Sequence, residues 1–246
     1  MLQPSIIKIE EAASSNTEAM SLVKQQKLAE GTIVWVLNQT QGRGQGKKVW
    51  YSNANENLTF SIILYPEFLQ LEHQFLLSKA IASAVCKTVS LFCDESFIKW
   101  PNDIYVKNNK IAGILIENII QKNKMAASIV GIGININQTE FNSTIPNPTS
   151  LRNETGKIFQ LPELLELLQN NILSEYNSLK MHRFTSIYEY YDSKLYMKNK
   201  LISAKINNNR VQIRVKEVDQ EGYLHALIND KEHLFAVGEI ELLIGS

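Results

Sequence analysis

Residues 99–115 read KWPNDIYVKNNKIAGIL, and no other stretch of the chain constrains its fold as tightly. A strand ending at Lys99 and Trp100 is stopped by Pro101, which has no backbone N–H to give to a ladder. The chain then runs out through Ile104–Val106, turns at Asn108-Asn109 and returns as Ile111–Asn118. Asn-Asn between two apolar runs predicts a β-hairpin. Asn102 and Asp103 put an amide and a carboxylate at the first turn, and Lys110 enters the return strand. Gly113 leaves a bare position inside that strand, the mark of close approach by a ligand or another backbone. A cation, an amide, a carboxylate and a bare position on one hairpin suit a bound nucleotide or acid. A surface hairpin with polar turn residues would have the same composition.

The surrounding pattern mixes strands and helices without regular βαβ alternation. Strands are expected at Ile6–Ile9, Thr32–Asn38, Leu58–Tyr65 and Ala127–Asn137. A helix is expected from Ser15 to about Ala29, opened by a Ser15/Glu18 capping box. A buried helix should cover Leu71–Leu91, where Phe75, Leu76, Ala80, Ala84 and Val85 recur at helical spacing. Residues 138–160 read as a polar surface loop, and Pro162 begins an amphipathic helix reaching about Lys180. Past residue 195 the pattern changes to short strands at Lys205–Ile206, Val211–Val218, Tyr223–Ile228 and His233–Phe235, as in a small β-barrel or sandwich. The expected fold is therefore α+β, with a mixed, mostly antiparallel sheet and helices in residues 1–190 and a small β domain in 191–246.

Composition excludes some classes. Lys plus Arg and Asp plus Glu are 25 each, so the net charge is zero. That argues against non-specific nucleic-acid binding, which needs a cationic surface. Cys86 and Cys93 match no metal spacing and read as free thiols of a reducing compartment. The start shows no secretory pattern, and no apolar run reaches the ~18 residues of a membrane span. The expected location is the cytoplasm, with no membrane partner.

Residues 39–48 read QTQGRGQGKK, three glycines and three cations. Glycines let backbone N–H groups turn toward an anion, and the cations supply charge. A Walker loop fails, because three residues rather than four lie between Gly42 and Gly46, and Lys48 stands where Ser or Thr is needed. A Rossmann fingerprint fails at Lys47, where it needs glycine. Ser14-Ser15-Asn16 at a helix start either caps the helix or faces a polar ligand group. In GIGININ, residues 131–137, alternation puts Asn135 and Asn137 on one face and Ile132, Ile134 and Ile136 on the core face.

Taken together, GRG with Trp50 beyond it, ENLTFSI at 56–62, KWPND at 99–103, KIAGIL at 110–115 and GIGININ at 131–137 resemble the catalytic region of biotin protein ligases. The resemblance covers about residues 5–185, and the remainder is similar to that family's small SH3-like domain. It implies a core related to class II aminoacyl-tRNA synthetases. It implies an enzyme that activates biotin with ATP and Mg²⁺ as biotinyl-5′-AMP, then biotinylates a lysine of a biotin carboxyl carrier domain, as in acetyl-CoA carboxylase. Lipoate or octanoate ligases and transferases of the related fold are the alternative.

By the same resemblance, Ser14, Ser15, Asn16, Gln39, Gly42, Arg43, Gly44, Gln45, Lys110 and Gly113 are the biotin side of the site. Arg43, Lys48, Trp50, Asn102 and Asn135 belong to ATP and its phosphates. Lys110, Arg43, Asp103 and Asn102 are the catalytic set, and Asp103 is the one metal-ligand candidate. Gln45 departs from the family's usual arginine, and Lys47 replaces a later glycine. The resemblance also implies pairing of two copies through a sheet edge. The first catalytic strand begins near residue 6, so no operator-binding domain is expected ahead of it.

Overall fold

The computed structural model describes residues 3–46 and 48–243. In chain order its elements begin with β1 (Ile6–Ala12), α1 (Ser15–Gln25), β2 (Ile33–Gln39), β3 (Leu58–Leu64) and α2 (Gln74–Ser90). Next come β4 (Ser96–Lys99), β5 (Asp103–Val106), β6 (Asn109–Gln121), β7 (Lys124–Ile134), α3 (Leu151–Thr155), α4 (Leu161–Lys180) and α5 (Phe184–Ser193). The chain closes with β8 (Leu201–Ile206), β9 (Asn209–Val218), β10 (Leu224–Ile228), β11 (Lys231–Phe235) and β12 (Ile240–Leu242). The first seven strands form one sheet in the order β1-β2-β3-β7-β6-β5-β4. β1 runs parallel to β2 with α1 as crossover, and the remaining neighbours are antiparallel. This is the expected mixed, mostly antiparallel α+β sheet.

Alternation sorts the sheet's side chains into two layers. Ile33, Trp35, Leu58, Phe60, Ile62, Ile132 and Ile134 point to one face and join the large core beneath α2 and α4. Val34, Ile63 and Ile129 point to the other, where Ala19 of α1 covers them. α1 is short, so it covers only one end of that second face. Full burial of one such aliphatic side chain is worth about 2 kcal/mol, which makes the first face the main source of stability.

Several local expectations shift. Helix α1 stops at Gln25, short of Ala29, and Ser14 rather than Ser15 takes the N-cap position, with no side-chain cap bond. The Ser15 N–H instead donates to Gln39 Oε1 at 2.7 Å, so the end of β2 caps the helix. The first hairpin turns at Lys107-Asn108, one residue early, with Lys107 at φ 52 and Asn109 already paired to Val106. A second hairpin joins β6 to β7 through Lys122-Asn123, both at positive φ, as a two-residue primed turn requires. The polar stretch 138–160 holds α3, capped by Ser150 Oγ accepting from the Asn153 N–H at 3.1 Å and ended by left-handed Gly156. β7 ends at Ile134, so Asn135 and Asn137 lie beyond the strand rather than along one face of it. Ile132, Ile134 and Ile136 are buried as expected.

The last five strands form an open antiparallel sheet, β11-β10-β9-β8-β12. Its β9–β10 turn docks on the first sheet's helices and on the KWPND turn. Lys79 Nζ donates to Val218 O at 2.6 Å, and Trp100 Nε1 to Gly222 O at 2.9 Å. Gly222 adopts φ +96, and a Cβ there would stand 2.4 Å from the Phe75 ring. The Lys79 side chain is buried, its ammonium 4.5 and 5.0 Å from the ring centroids of Tyr188 and Tyr191. Burial lowers its pKa to about 8, although Asp219, Asp192 and Glu217 oppose the shift.

A depressed lysine pKa has a defined sign. Between about pH 8 and 10.5 the unfolded chain holds this proton and the folded chain does not, so the Lys79 contribution to stability rises with pH across that window. Urea unfolding should show wild type gaining on Lys79→Met by up to about 3 kcal/mol between pH 7 and 10.5. A pH-independent difference would mean that the ammonium is hydrated in the folded chain.

Candidate functional site

The register that builds the sheet also strips one patch of it bare. Gly113 of β6 pairs with Gly133 of β7, and Leu115 with Gly131. Across β7, Ser61 and Thr59 of β3 face the same two glycines. Beyond the end of α1 these small residues leave a cavity of about 580 Å³. The glycines are required by what lies on them. A Cβ on Gly131 would stand 2.2 Å from Asn16 Oδ1, and one on Gly133 2.3 Å from the Trp50 indole.

Three segments wall this floor. At the start of α1, Ser14, Ser15 and Asn16 are buried. Ser61 Oγ lies 2.8 Å from Ser15 Oγ and 2.5 Å from Asn16 Oδ1. Asn16 Nδ2 donates to Leu115 O at 3.2 Å and to Glu117 Oε2 at 2.8 Å. The glycine-rich loop forms the second wall as a narrow clip. Trp50 N–H donates to Gly42 O at 2.9 Å and Gly44 N–H to Lys48 O at 2.8 Å. Arg43 Nη2 reaches Glu117 Oε2 at 2.5 Å, and the Trp50 indole covers Gly113 and Gly133. Gln39, Arg43, Gly44, Gln45, Lys48 and Trp50 all line the cavity. Gly42 does not; it lines a neighbouring recess with Arg43, Gly44 and Glu117, and a Cβ on it would strike Trp50 O at 2.3 Å. The departure at Lys47 lies outside the described residues.

The first hairpin is the third wall. Lys110 Nζ is 2.6 Å from Asp103 Oδ1, a contact ion pair whose angles fall short of a hydrogen bond. Lys110 Nζ also lies 5.7 Å from the Trp50 ring centroid. Asn102 lines the cavity while its Nδ2 donates to Ile114 O at 2.8 Å, tying the turn to β6. Asn135 donates to Thr149 O at 2.9 Å, and its Oδ1 is buried with no protein partner among the described residues. Asn137 is turned elsewhere, pairing twice with the Phe159 backbone.

Several contributors escape a local reading. Lys99 lines the cavity, and burial lowers its pKa against the pull of Asp103. Its signal was the KWPND motif itself. Glu117 shares a face with Gly113 at i+4 along β6, a period-2 signal hidden inside an apolar run. The loop through Pro146–Pro148 closes one side by pairing with Lys110, whose N–H donates to Asn147 O at 2.7 Å. Glu241 and Leu242 reach the same cavity from the second sheet. No spacing in the chain announces either of these two.

The donor set does not build a resident metal site. Asp103 is engaged by Lys110, and among the described residues no group of three His, Cys, Asp or Glu gathers. A magnesium ion of a nucleotide would keep most of its ligands from phosphate and water.

The cavity is thus flanked by Arg43, Lys48 and Lys110, with the polar Ser14, Ser15, Asn16 and Gln39 at one end. The profile of the biotin/lipoate A/B protein ligase family matches residues 10–135, about half of the chain, and the chain belongs to that family. It is 29% identical to the bifunctional ligase/repressor BirA of Bacillus subtilis over 219 residues, 87% of this chain and 66% of that protein. It is 33% identical to the biotin–[acetyl-CoA-carboxylase] ligase of Paracoccus denitrificans over 166 residues, 63% and 66% of the two chains. The chain thus spans about two thirds of the length of these curated relatives. The biotin protein ligase of Aquifex aeolicus in complex with biotin and ATP superposes with a TM-score of 0.81 at 25% identity, covering 98% of this chain and 99% of that one.

Proposed function

We propose that this chain is an ATP-dependent biotin–protein ligase that makes biotinyl-5′-AMP and passes the biotinyl group to a lysine of a biotin carboxyl carrier domain. One observation carries the reading: a single cavity gathers Ser14, Ser15, Asn16 and Gln39 at one end, and Arg43, Asn102, Lys110 and Asn135 along its side. The relatives' names supply the acid, the nucleotide and the acceptor class.

The chemistry follows from charge. A biotin carboxylate oxygen attacks the α-phosphorus of ATP, and pyrophosphate leaves with the bonding pair. Negative charge gathers on the α-phosphoryl oxygens, so cations already in place stabilise the transition state without reorganisation. Lys110, oriented by Asp103, serves the carboxylate and the acyl phosphate. Arg43 and Lys48 of the loop serve the phosphates, with Asn102 and Asn135 as amide partners, and Trp50 packs against the ligand. Ser14, Ser15, Asn16 and Gln39 offer donors and acceptors to the biotin ring, with Gly42, Gly44, Gln45 and Gly113 giving it room and a lid. A magnesium ion carried by ATP would offset triphosphate charge beside Asn102 and Asp103. In the second step a neutral lysine amine attacks the acyl carbon, AMP departs, and the amine's surplus proton is lost to solvent.

Residues 1–190 form the catalytic unit in this reading and 191–246 a small β domain resting on it. The position of β1 at an edge of the sheet supports pairing of two copies. Zero net charge supports the expectation of no operator binding. Two buried free cysteines support a reducing, cytoplasmic setting. Among the described residues no helix is long and apolar enough to cross a membrane.

The test is pyrophosphate–ATP exchange with Mg²⁺ and either biotin or lipoate. Exchange with biotin alone is expected. Exchange with lipoate instead would move the chain to the lipoyl branch of its family, and exchange with neither would overturn the adenylation step.

A further inference from the structure

Glu117 lies on the face of β6 that carries Gly113 and Leu115. A single oxygen of its carboxylate, Oε2, takes two donors from opposite walls of the site. Asn16 Nδ2 approaches at 2.8 Å from the first turn of α1, and Arg43 Nη2 at 2.5 Å from the glycine-rich loop. Asn16 is gripped from its other side by Ser61 Oγ, 2.5 Å from Oδ1. The Glu117 carboxylate and the Leu115 carbonyl, 3.2 Å from Asn16 Nδ2, both only accept, so together they dictate which end of the Asn16 amide faces them, and Glu117 is the nearer of the two; the opposite end is turned to Ser61. The same oxygen holds the loop's guanidinium by a charge-assisted bond.

We infer that Glu117 is a positioning residue that couples the glycine-rich loop to the pocket at the start of α1. Through one shared oxygen it holds the Asn16 amide, alongside the Leu115 carbonyl, and sets the resting place of the Arg43 guanidinium. Loop position and pocket geometry are therefore not independent: a shift of Arg43 changes the charge balance on the acceptor that orients Asn16. The consequence for biotin rests on the proposed reading; the coupling itself does not.

Two variants separate the two arms. Glu117→Gln keeps an oxygen for Asn16 and removes the charge that holds Arg43, whereas Glu117→Ala removes both. Phenylglyoxal labelling of Arg43 without substrate, read by peptide mass spectrometry against exposed Arg183, needs no enzyme activity. In both variants Arg43 should label about two- to fivefold faster at low salt, the range of a partly exposed ion pair, and the excess should fade at high salt. In exchange assays the biotin KM should stay near wild type in Glu117→Gln and rise about tenfold in Glu117→Ala, with kcat moving less in either. A merely structural role would not split the variants in this way. Equal Arg43 labelling in all three proteins, or the same rise in biotin KM for both variants, would overturn the inference. If wild type shows no biotin-dependent exchange while the labelling contrast persists, the biotin reading fails and the Glu117–Arg43 arm stands; equal labelling would instead overturn the inference itself.

Discussion

Lys110→Ala is expected to lower biotin-dependent pyrophosphate exchange by about 10²–10³-fold, the usual effect of removing one preorganised group aimed at developing charge. Lys110 is placed for that role by three constraints. Its ammonium contacts Asp103 at 2.6 Å, its backbone is locked on both sides by the Asn147 and Thr149 pairings, and Trp50 limits its swing. The loss should fall mainly on kcat, because the charge that Lys110 meets on the acyl phosphate exists only as the reaction proceeds. Biotin affinity by calorimetry should fall less than the exchange rate. Lys110→Arg should not restore the rate, since a planar fork cannot replace a compact ammonium at a contact this short. A loss under tenfold for Lys110→Ala would remove this residue from the chemistry.

Gly131→Ala should weaken biotin binding by more than about tenfold while the chain still folds. Its Cβ would stand 2.2 Å from Asn16 Oδ1 and 2.8 Å from Asn16 Cγ, closer than real Cβ atoms come. Asn16 has little freedom to move aside, being held by Ser61 at 2.5 Å and Glu117 at 2.8 Å. The methyl must displace the start of α1 from the sheet, opening the pocket end of the cavity. Overpacking of this kind costs about 1–3 kcal/mol, which should lower Tm without unfolding the chain at 25 °C. Calorimetric biotin affinity equal to wild type, in a variant with a lowered Tm, would place biotin away from Asn16.

Legibility in the sequence follows the range of the interaction concerned. The first hairpin, with Lys110 and Gly113, was readable because strand stop, turn and bare position lie within seventeen residues and each has a local cause. So was the glycine-rich loop. The Ser15/Glu18 capping box was a sound local inference that lost to a distant partner, since Gln39 had already satisfied the Ser15 N–H. The Lys122-Asn123 turn went unread because neither residue is glycine, yet both adopt positive φ. Helix α3 hid in a polar stretch because it spans only five residues, and its serine cap and glycine stop are weak signals by themselves. Glu117 and Glu241 show the limit most clearly. Each reaches the site through strand register, β6 against β7 and β12 against β8; the period-2 spacing of Glu117 from Gly113 gives its face but not its partners, and Glu241 has no spacing signal at all.

The position of Trp50 also equips the molecule with an optical gauge. The chain has three tryptophans; Trp35 and Trp100 are buried, and Trp50 alone lines the cavity. Its indole rests on two glycines, with its Nε1 hydrogen bonded to no protein atom among the described residues. Any molecule that claims that floor must slide beneath the ring, stack on it or push it away, and each of these alters the polarity around one emitter. Occupancy of the site can thus be followed by intrinsic fluorescence without a label, the other two indoles being buried away from the cavity lining.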